Sequence, residues 1–141
     1  MDQIHLLNGL NRIIVTGHSL GAAVASLCLL DLAGNGDAKK YDGCTFASPR
    51  VFWGETKAFE QAVLKNLRVA NPSDIVTHSP ANLAAYFHVK GGLQIPSKIE
   101  DFHSLLNTYL PGVQKVIKSS TGPTVQLQDA EHVLLQEALS R

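Results

Sequence analysis

The chain has 141 residues, a formal net charge of zero, a sequence pI near 7.0, 45% hydrophobic residues and 17% charged residues. That length bounds it to one domain at most, and the neutral balance removes the electrostatic basis for binding nucleic acid or an anionic membrane surface, which leaves small or apolar partners. No apolar run reaches the length of a membrane span, and the opening "MDQIHLL" lacks the basic and hydrophobic regions of a signal peptide, so nothing directs export; this favours the cytoplasm but leaves the compartment open.

In chain order, the turn-like "NGLN" at residues 8–11 separates a short leading segment, expected to end a helix, from the apolar run "RIIVT" at 12–16, which predicts a buried strand. Residues 20–33 are almost all Leu, Ala, Val and Cys without alternation, which predicts a helix buried on most of its faces, terminated by "GNGD" at 34–37. "CTFASP" at 44–49 predicts a second buried strand stopped by Pro49. Residues 54–66 carry Ala58, Phe59, Ala62 and Val63 at helical spacing, and residues 67–71 predict a third strand. Strands alternating with helices imply a parallel sheet, hence the α/β class.

Further along, residues 86–90 and 93–95 flank Gly91 and Gly92 and predict a hairpin, and residues 104–110 a short helix. A polar linker is expected at 118–124. A last helix is expected at 129–139, with Asp129 as N-cap and an apolar face of Leu134, Leu135, Ala138 and Leu139. The two cysteines, Cys28 and Cys44, sit in apolar segments without metal-ligand spacing and are expected to be buried thiols. No internal repeat or low-complexity tract is present.

The chemistry concentrates in "IIVTGHSLGAAVA", residues 13–25. Gly17-His18-Ser19-Leu20-Gly21 fits the G-x-S-x-G pattern with a strand before it and a helix after it, the setting of a nucleophile elbow. A nucleophilic hydroxyl has to stand clear of the backbone on a tight strand-to-helix turn, where a side chain at either flanking glycine is expected to collide with its surroundings. The N-terminal end of the following helix directs N–H groups and a positive dipole at the serine, and the Leu20 N–H is placed to donate to a developing oxyanion. The competing reading is a tight turn whose serine only caps the helix.

A serine hydroxyl needs a base and an orienting acid. In hydrolases of this topology the chain order is Ser, then Asp or Glu, then His. Asp74, in "NPSDIVTHSP" at 71–80, follows the third strand, where α/β sheets present their functional loops; the same composition also suits an Asx turn. His103, in "EDFHSLLNTYL" at 100–110, lies downstream at the start of a short helix, where a capping or surface role is the alternative.

Separated stretches together carry a resemblance. "TGHSLGAAVA", "FASPRVF", "VANPSDIVTHSP" and "FHVKGGLQI" with "DFHSLLNTYL" resemble, in order, the nucleophile elbow, the following strand and loop, the acid segment, and the final hairpin and base loop of class 3 lipases, the fungal-lipase-like group of α/β-hydrolases. The resemblance covers about residues 2–110, with 111–141 as a C-terminal extension of a single partial domain. It implies Ser19 as nucleophile, Asp74 as the acid orienting the imidazole, His103 as general base and the Leu20 N–H as an oxyanion donor. It implies a serine ester hydrolase acting on lipid or small esters, with no cofactor and no metal.

Among the other histidines of the six, His78 competes with His103 because it lies four residues after Asp74, but its chain position does not match the family's base. His18 is expected to point away from Ser19 into a packing or hydrogen-bonding role. His88 is expected to serve the sheet, and His5 and His132 to lie exposed on helices. None shows H-E-x-x-H spacing.

The resemblance also has a departure. Members of the family carry a long block before the nucleophile strand, supplying the first strands, a second oxyanion donor and the lid, whereas about a dozen residues precede Arg12 here. A partial fold lacking the N-terminal strands is therefore expected, with "RIIVT" as an edge inviting self-association or a partner chain that completes the sheet. Loss of one oxyanion donor typically costs about 10²–10³ in rate, so weak hydrolysis of activated esters is expected. The alternative expectation is a catalytically impaired remnant that binds lipid or a partner chain.

Overall fold

The structure, a computed structural model, describes residues 10–36, 40–81 and 85–120. Its elements are β1 (Ile13–His18), α1 (Leu20–Asn35), β2 (Tyr41–Phe46), β3 (Phe52–Trp53), α2 (Lys57–Ala62), β4 (Lys65–Ala70), β5 (Tyr86–Phe87), β6 (Gly92–Gln94) and α3 (Leu110–Ser120). A 3₁₀ turn occupies Ile75–His78, and a π-helical turn at Leu105–Tyr109 leads into α3.

Four strands form one sheet in the order β1-β2-β4-β6, every neighbouring pair parallel, while β3 and β5 form a separate antiparallel ribbon. The fold is α/β, a mostly parallel sheet flanked by helices. Because successive strand residues face opposite sides, each strand feeds two cores. On one side Leu29 and Ala33 of α1 and Phe59 of α2 cluster with Val63, Tyr41 and Val89, with Ile13 and Val15 packed against them. On the other, Tyr109 and Val113 cover Cys44, Leu67, Val69 and Ile95, joined by Ile14 and Phe46. The carboxyl ends of β1, β2 and β4 therefore come to one edge of the sheet between these layers.

Several sequence expectations are corrected. α1 buries only one face, through Ala22, Ala25, Ser26, Leu29 and Ala33, while Leu20, Val24 and Leu27 are 74%, 58% and 51% exposed. A helix apolar all round does not disclose in its sequence which side meets the sheet. Cys28 lies on the outer side and is exposed, contrary to expectation; Cys44 is buried, and burial pushes its thiol up to about 12. The second strand ends at Phe46 rather than at Pro49, because Ala47 turns to φ 54 while its N–H donates to the Val69 carbonyl at 3.1 Å.

The expected hairpin does not form. Gly91, at φ +84, lies so close to β4 that a Cβ would stand 1.8 Å from the Asn66 carbonyl oxygen, and its own carbonyl accepts from Arg68 N at 2.7 Å. The glycine pair thus lets the strap between β5 and β6, residues 88–91, dock on β4. β6 then continues parallel to β4, and β5 pairs with β3. Helix extends from the expected 104–110 segment through Ser120, so the first residues of the expected linker are helical. The leading segment 1–9, His5, residues 121–124, the 129–139 helix and His132 lie outside the described residues. Among the described residues β1 has a strand partner on one side only, and no helix is long and apolar enough to cross a membrane.

His88 joins the strap to the loop after β4, its Nε2–H donating to the Thr77 carbonyl at 2.6 Å. Burial lowers its pKa from 6.5 to about 4, helped by the nearby charge of Arg68 and, less strongly, by Arg50 and His78. A group whose folded pKa is depressed binds its proton more readily in the unfolded chain, so this contribution is complete above 6.5 and is lost as pH falls towards 4. Urea unfolding of wild type across that window is expected to show stability declining with falling pH, and His88→Gln to have a shallower slope; identical slopes would refute this origin.

Candidate active site

The site begins at the junction of β1 and α1. Ser19 has φ 58 and ψ −126, a conformation outside the usual regions for a side-chain-bearing residue, of the kind that costs about 1–3 kcal/mol and persists only where surrounding structure enforces it. Enforcement is visible on both sides. The Ser19 N–H donates to the Phe46 carbonyl at 3.1 Å, and the Ser19 carbonyl accepts from Ala22 N at 3.0 Å and Ala23 N at 3.3 Å. A Cβ on Gly17 would lie 2.2 Å from the Gly21 carbonyl oxygen, so only glycine allows the strand to turn this tightly into the helix. The second glycine behaves differently from expectation: among the described residues a Cβ on Gly21 would meet nothing within 4 Å, and Gly21 is exposed.

Leu20 opens α1, so its N–H has no carbonyl one turn back within the helix. Asp74 follows β4, and its backbone carbonyl begins the 3₁₀ turn by accepting from Thr77 N at 3.1 Å and Thr77 Oγ1 at 2.8 Å. His103 arrives from the segment between β6 and the π-helical turn. Its Nε2 lies 2.7 Å from Ser19 Oγ and its Nδ1 lies 2.8 Å from Asp74 Oδ2. The structure thus joins the three residues singled out in the sequence in one hydrogen-bonded chain. His78 does not join it; its Nε2–H donates to the Pro72 carbonyl at 3.0 Å.

The carboxylate of Asp74 is fully buried, whereas the His103 side chain is 29% exposed. Asp74 Oδ1 accepts from Val76 N at 2.9 Å, and Oδ2 accepts from both His103 Nδ1 and the Tyr109 hydroxyl, the latter at 2.7 Å. Tyr109, also fully buried, accepts in turn from Asn71 N at 3.1 Å. Burial and the adjacent carboxylate raise the Tyr109 pKa, so the phenol keeps its proton and donates. Asn71 is a second hub. Its Nδ2 donates to the Lys98 and Phe102 carbonyls at 2.7 and 3.0 Å, and its Oδ1 accepts from Ser73 N and Lys98 N at 3.2 and 3.1 Å. These bonds fasten the His103 segment to the end of β4.

His18 takes a hydrogen-bonding role and holds the same segment: its Nε2–H donates to the His103 carbonyl at 3.0 Å, with the two rings 4.7 Å apart. Sequence reasoning missed Asn71 and Tyr109. The available signals were weak: an Asn at the end of a strand in "NPSD", and a Tyr on the helix that follows His103. The arrangement is suited to withdrawing a proton from a serine hydroxyl while a buried carboxylate stabilises the resulting imidazolium.

The parallel sheet and its flanking helices define a partial α/β-hydrolase fold. The sequence profile of the family described as lipase (class 3) matches residues 2–84, more than half of the chain, and the chain belongs to that family. It is similar to phospholipase A1-II 5 of Oryza sativa subsp. indica, at 38% identity over 95 residues, 61% of this chain and 20% of that protein. It is similar to secreted mono- and diacylglycerol lipase A of Penicillium cyclopium, at 40% identity over 80 residues, 55% of this chain and 25% of the relative.

Among solved structures, Rhizomucor miehei lipase in a propeptide complex superposes with a TM-score of 0.56 at 31% identity, covering 60% of this chain and 28% of that one. A triacylglycerol lipase whose catalytic centre is a serine protease triad gives 0.59 at 30% identity, covering 67% and 37%. The chain spans about a fifth to a quarter of the length of these two curated relatives.

Two substitutions test the local physics. Gly17→Ala is expected to cost at least about 2 kcal/mol of unfolding free energy through overpacking, whereas Gly21→Ala is expected to stay within about 0.5 kcal/mol of wild type. Equal effects would contradict the elbow geometry. Tyr109→Phe leaves the buried Asn71 N–H without its acceptor and is expected to destabilise by about 1–3 kcal/mol in the same measurement.

Proposed function

We propose that the chain is a carboxylic ester hydrolase in which Ser19 is the nucleophile, His103 the general base and acid, Asp74 the orienting acid and the Leu20 N–H an oxyanion donor. The observation that carries the reading is His103, bonded through Nε2 to Ser19 at 2.7 Å and through Nδ1 to Asp74 at 2.8 Å. Ser19 Oγ attacks the acyl carbonyl carbon as its proton passes to His103 Nε2. The carbonyl oxygen becomes an oxyanion facing the first N–H of α1. Collapse of the tetrahedral species breaks the ester C–O bond, and the departing alkoxide takes the proton from Nε2. Water then gives a proton to Nε2 and attacks the acyl-serine, and the second collapse returns that proton to Ser19 and releases the carboxylic acid. Throughout, Nδ1–H continues to donate to Asp74 Oδ2.

The substrate class proposed is lipid or small carboxylic esters, in line with the glycerolipid lipases and phospholipase A1 among the relatives. Hydrolysis of p-nitrophenyl butyrate tests it. Ser19→Ala and His103→Ala are expected to bring kcat/KM to background, and Asp74→Asn to lower kcat by about 10⁴. Equal hydrolysis by wild type and Ser19→Ala would refute the assignment.

A second reading, binding of lipid or a partner chain without turnover, is favoured by the exposed apolar row of Leu20, Val24 and Leu27 on α1. Under it, Val24→Ser with Leu27→Ser weakens binding to phosphatidylcholine vesicles, while wild type and Ser19→Ala bind alike and neither hydrolyses ester.

A further inference from the structure

Beside the loop that carries Asp74, a cavity of about 430 Å³ opens between β4, β6 and the strap that bears His88. Its lining includes Arg50, Arg68, Thr77, His78, His88 and Gln94, with no Asp or Glu among the described lining residues. The two guanidinium groups differ in how they are held. Arg50 Nη1 donates to the His78 and Pro80 carbonyls, which fixes it against the acid loop. Arg68 projects from β4, and its Nε is buried with no hydrogen-bond partner among the described residues. Gly92, opposite Arg68 in the β4–β6 pair, makes room for it, since a Cβ there would lie 2.9 Å from Arg68 Nη2.

A half-buried guanidinium with an unsatisfied donor and a second cation for a neighbour is unfavourable unless something anionic is present, and a buried donor without a partner in a native fold calls for a water or ion. Burial and the charge of Arg50 both weaken the hold of Arg68 on its proton, and His88 is kept neutral in part by the same field, so the groups around the cavity already respond to the uncompensated charge. The planar fork of arginine matches the oxygens of phosphate, and charge-assisted bonds of this type are among the strongest a protein makes.

We propose that this cavity is a binding site for a phosphate oxyanion, held by the terminal guanidinium donors of Arg68 and the remaining donors of Arg50, and separate from the Ser19–His103–Asp74 chain. The ligand is either free phosphate or the phosphate of a glycerophospholipid headgroup. The site does not depend on ester hydrolysis, and its test reads binding alone.

Inorganic phosphate is titrated into the full wild-type chain at low ionic strength, with the Arg68 Nε–H and the His88 ring followed by NMR. Saturable shifts of both are expected, with the His88 pKa moving upward as negative charge enters. Arg68→Gln is expected to weaken binding by at least about tenfold, given the strength of charge-assisted bonds. Gln94→Glu, a near-isosteric change that places a carboxylate in the cavity, is expected to weaken it similarly and keeps the test decisive if Arg68→Gln fails to fold.

Dihexanoyl phosphatidic acid distinguishes the sources: tighter binding than inorganic phosphate assigns the site to a headgroup, and equal or weaker binding assigns it to free phosphate. No saturable change at Arg68, undiminished binding in both variants, or equal shifts with butyrate would overturn the proposal.

Discussion

The buried carboxylate of Asp74 is the constraint around which the rest of the site is organised. An isolated ionised carboxylate inside a protein is strongly unfavourable, and this one is fully buried, so its oxygens must be satisfied locally. Val76 N–H satisfies one oxygen; the Tyr109 hydroxyl and the His103 ring share the other. Each of these donors comes from a different part of the chain, so satisfying a single charge fixes the position of the acid loop, the π-helical turn before α3 and the segment that presents His103. The imidazole, with 29% of its side chain exposed, is left with its second nitrogen directed at Ser19.

The backbone around Ser19 shows the same dependence on distant contacts. Its positive φ is sustained by the β1–β2 register, which aligns His18 with Phe46 and so brings the Phe46 carbonyl to the Ser19 N–H. The parallel sheet is therefore part of the site's construction as well as its support. α3 contributes through the other core, where Val113 packs beside Tyr109 and fixes the phenol that reaches the carboxylate. The cavity lined by Arg50 and Arg68 lies next to the same acid loop, which links a charged surface region to the segment that positions Asp74.

Much of this was legible in the sequence, for reasons that differ by residue. Ser19 was marked by local constraints: a β-branched run, glycines at fixed offsets and a small-residue helix within thirteen residues. Asp74 and His103 followed from chain order once a strand and a helix start were placed before them. Asn71 and Tyr109 were not legible, because their function lies in bonds to residues 27 to 38 positions away that no local pattern encodes. Gly91 and Gly92 were misread as a hairpin turn because glycine serves equally for reversing the chain and for close approach of two backbones, and here Asn66 decides for the second. The outward side of α1, with Cys28 upon it, was misread because leucine occupies both faces of that helix, Leu29 buried and Leu20 and Leu27 exposed.

Fluorophosphonate labelling of the purified chain, read by peptide mass spectrometry, addresses the assembled site most directly, since phosphonylation requires an activated serine and no particular natural substrate. A single adduct on Ser19, lost in His103→Ala while circular dichroism stays unchanged, is the expected result. A folded wild-type chain that takes up no label, or carries it on another residue, would contradict the assembly of Ser19, His103 and Asp74 into a working nucleophile.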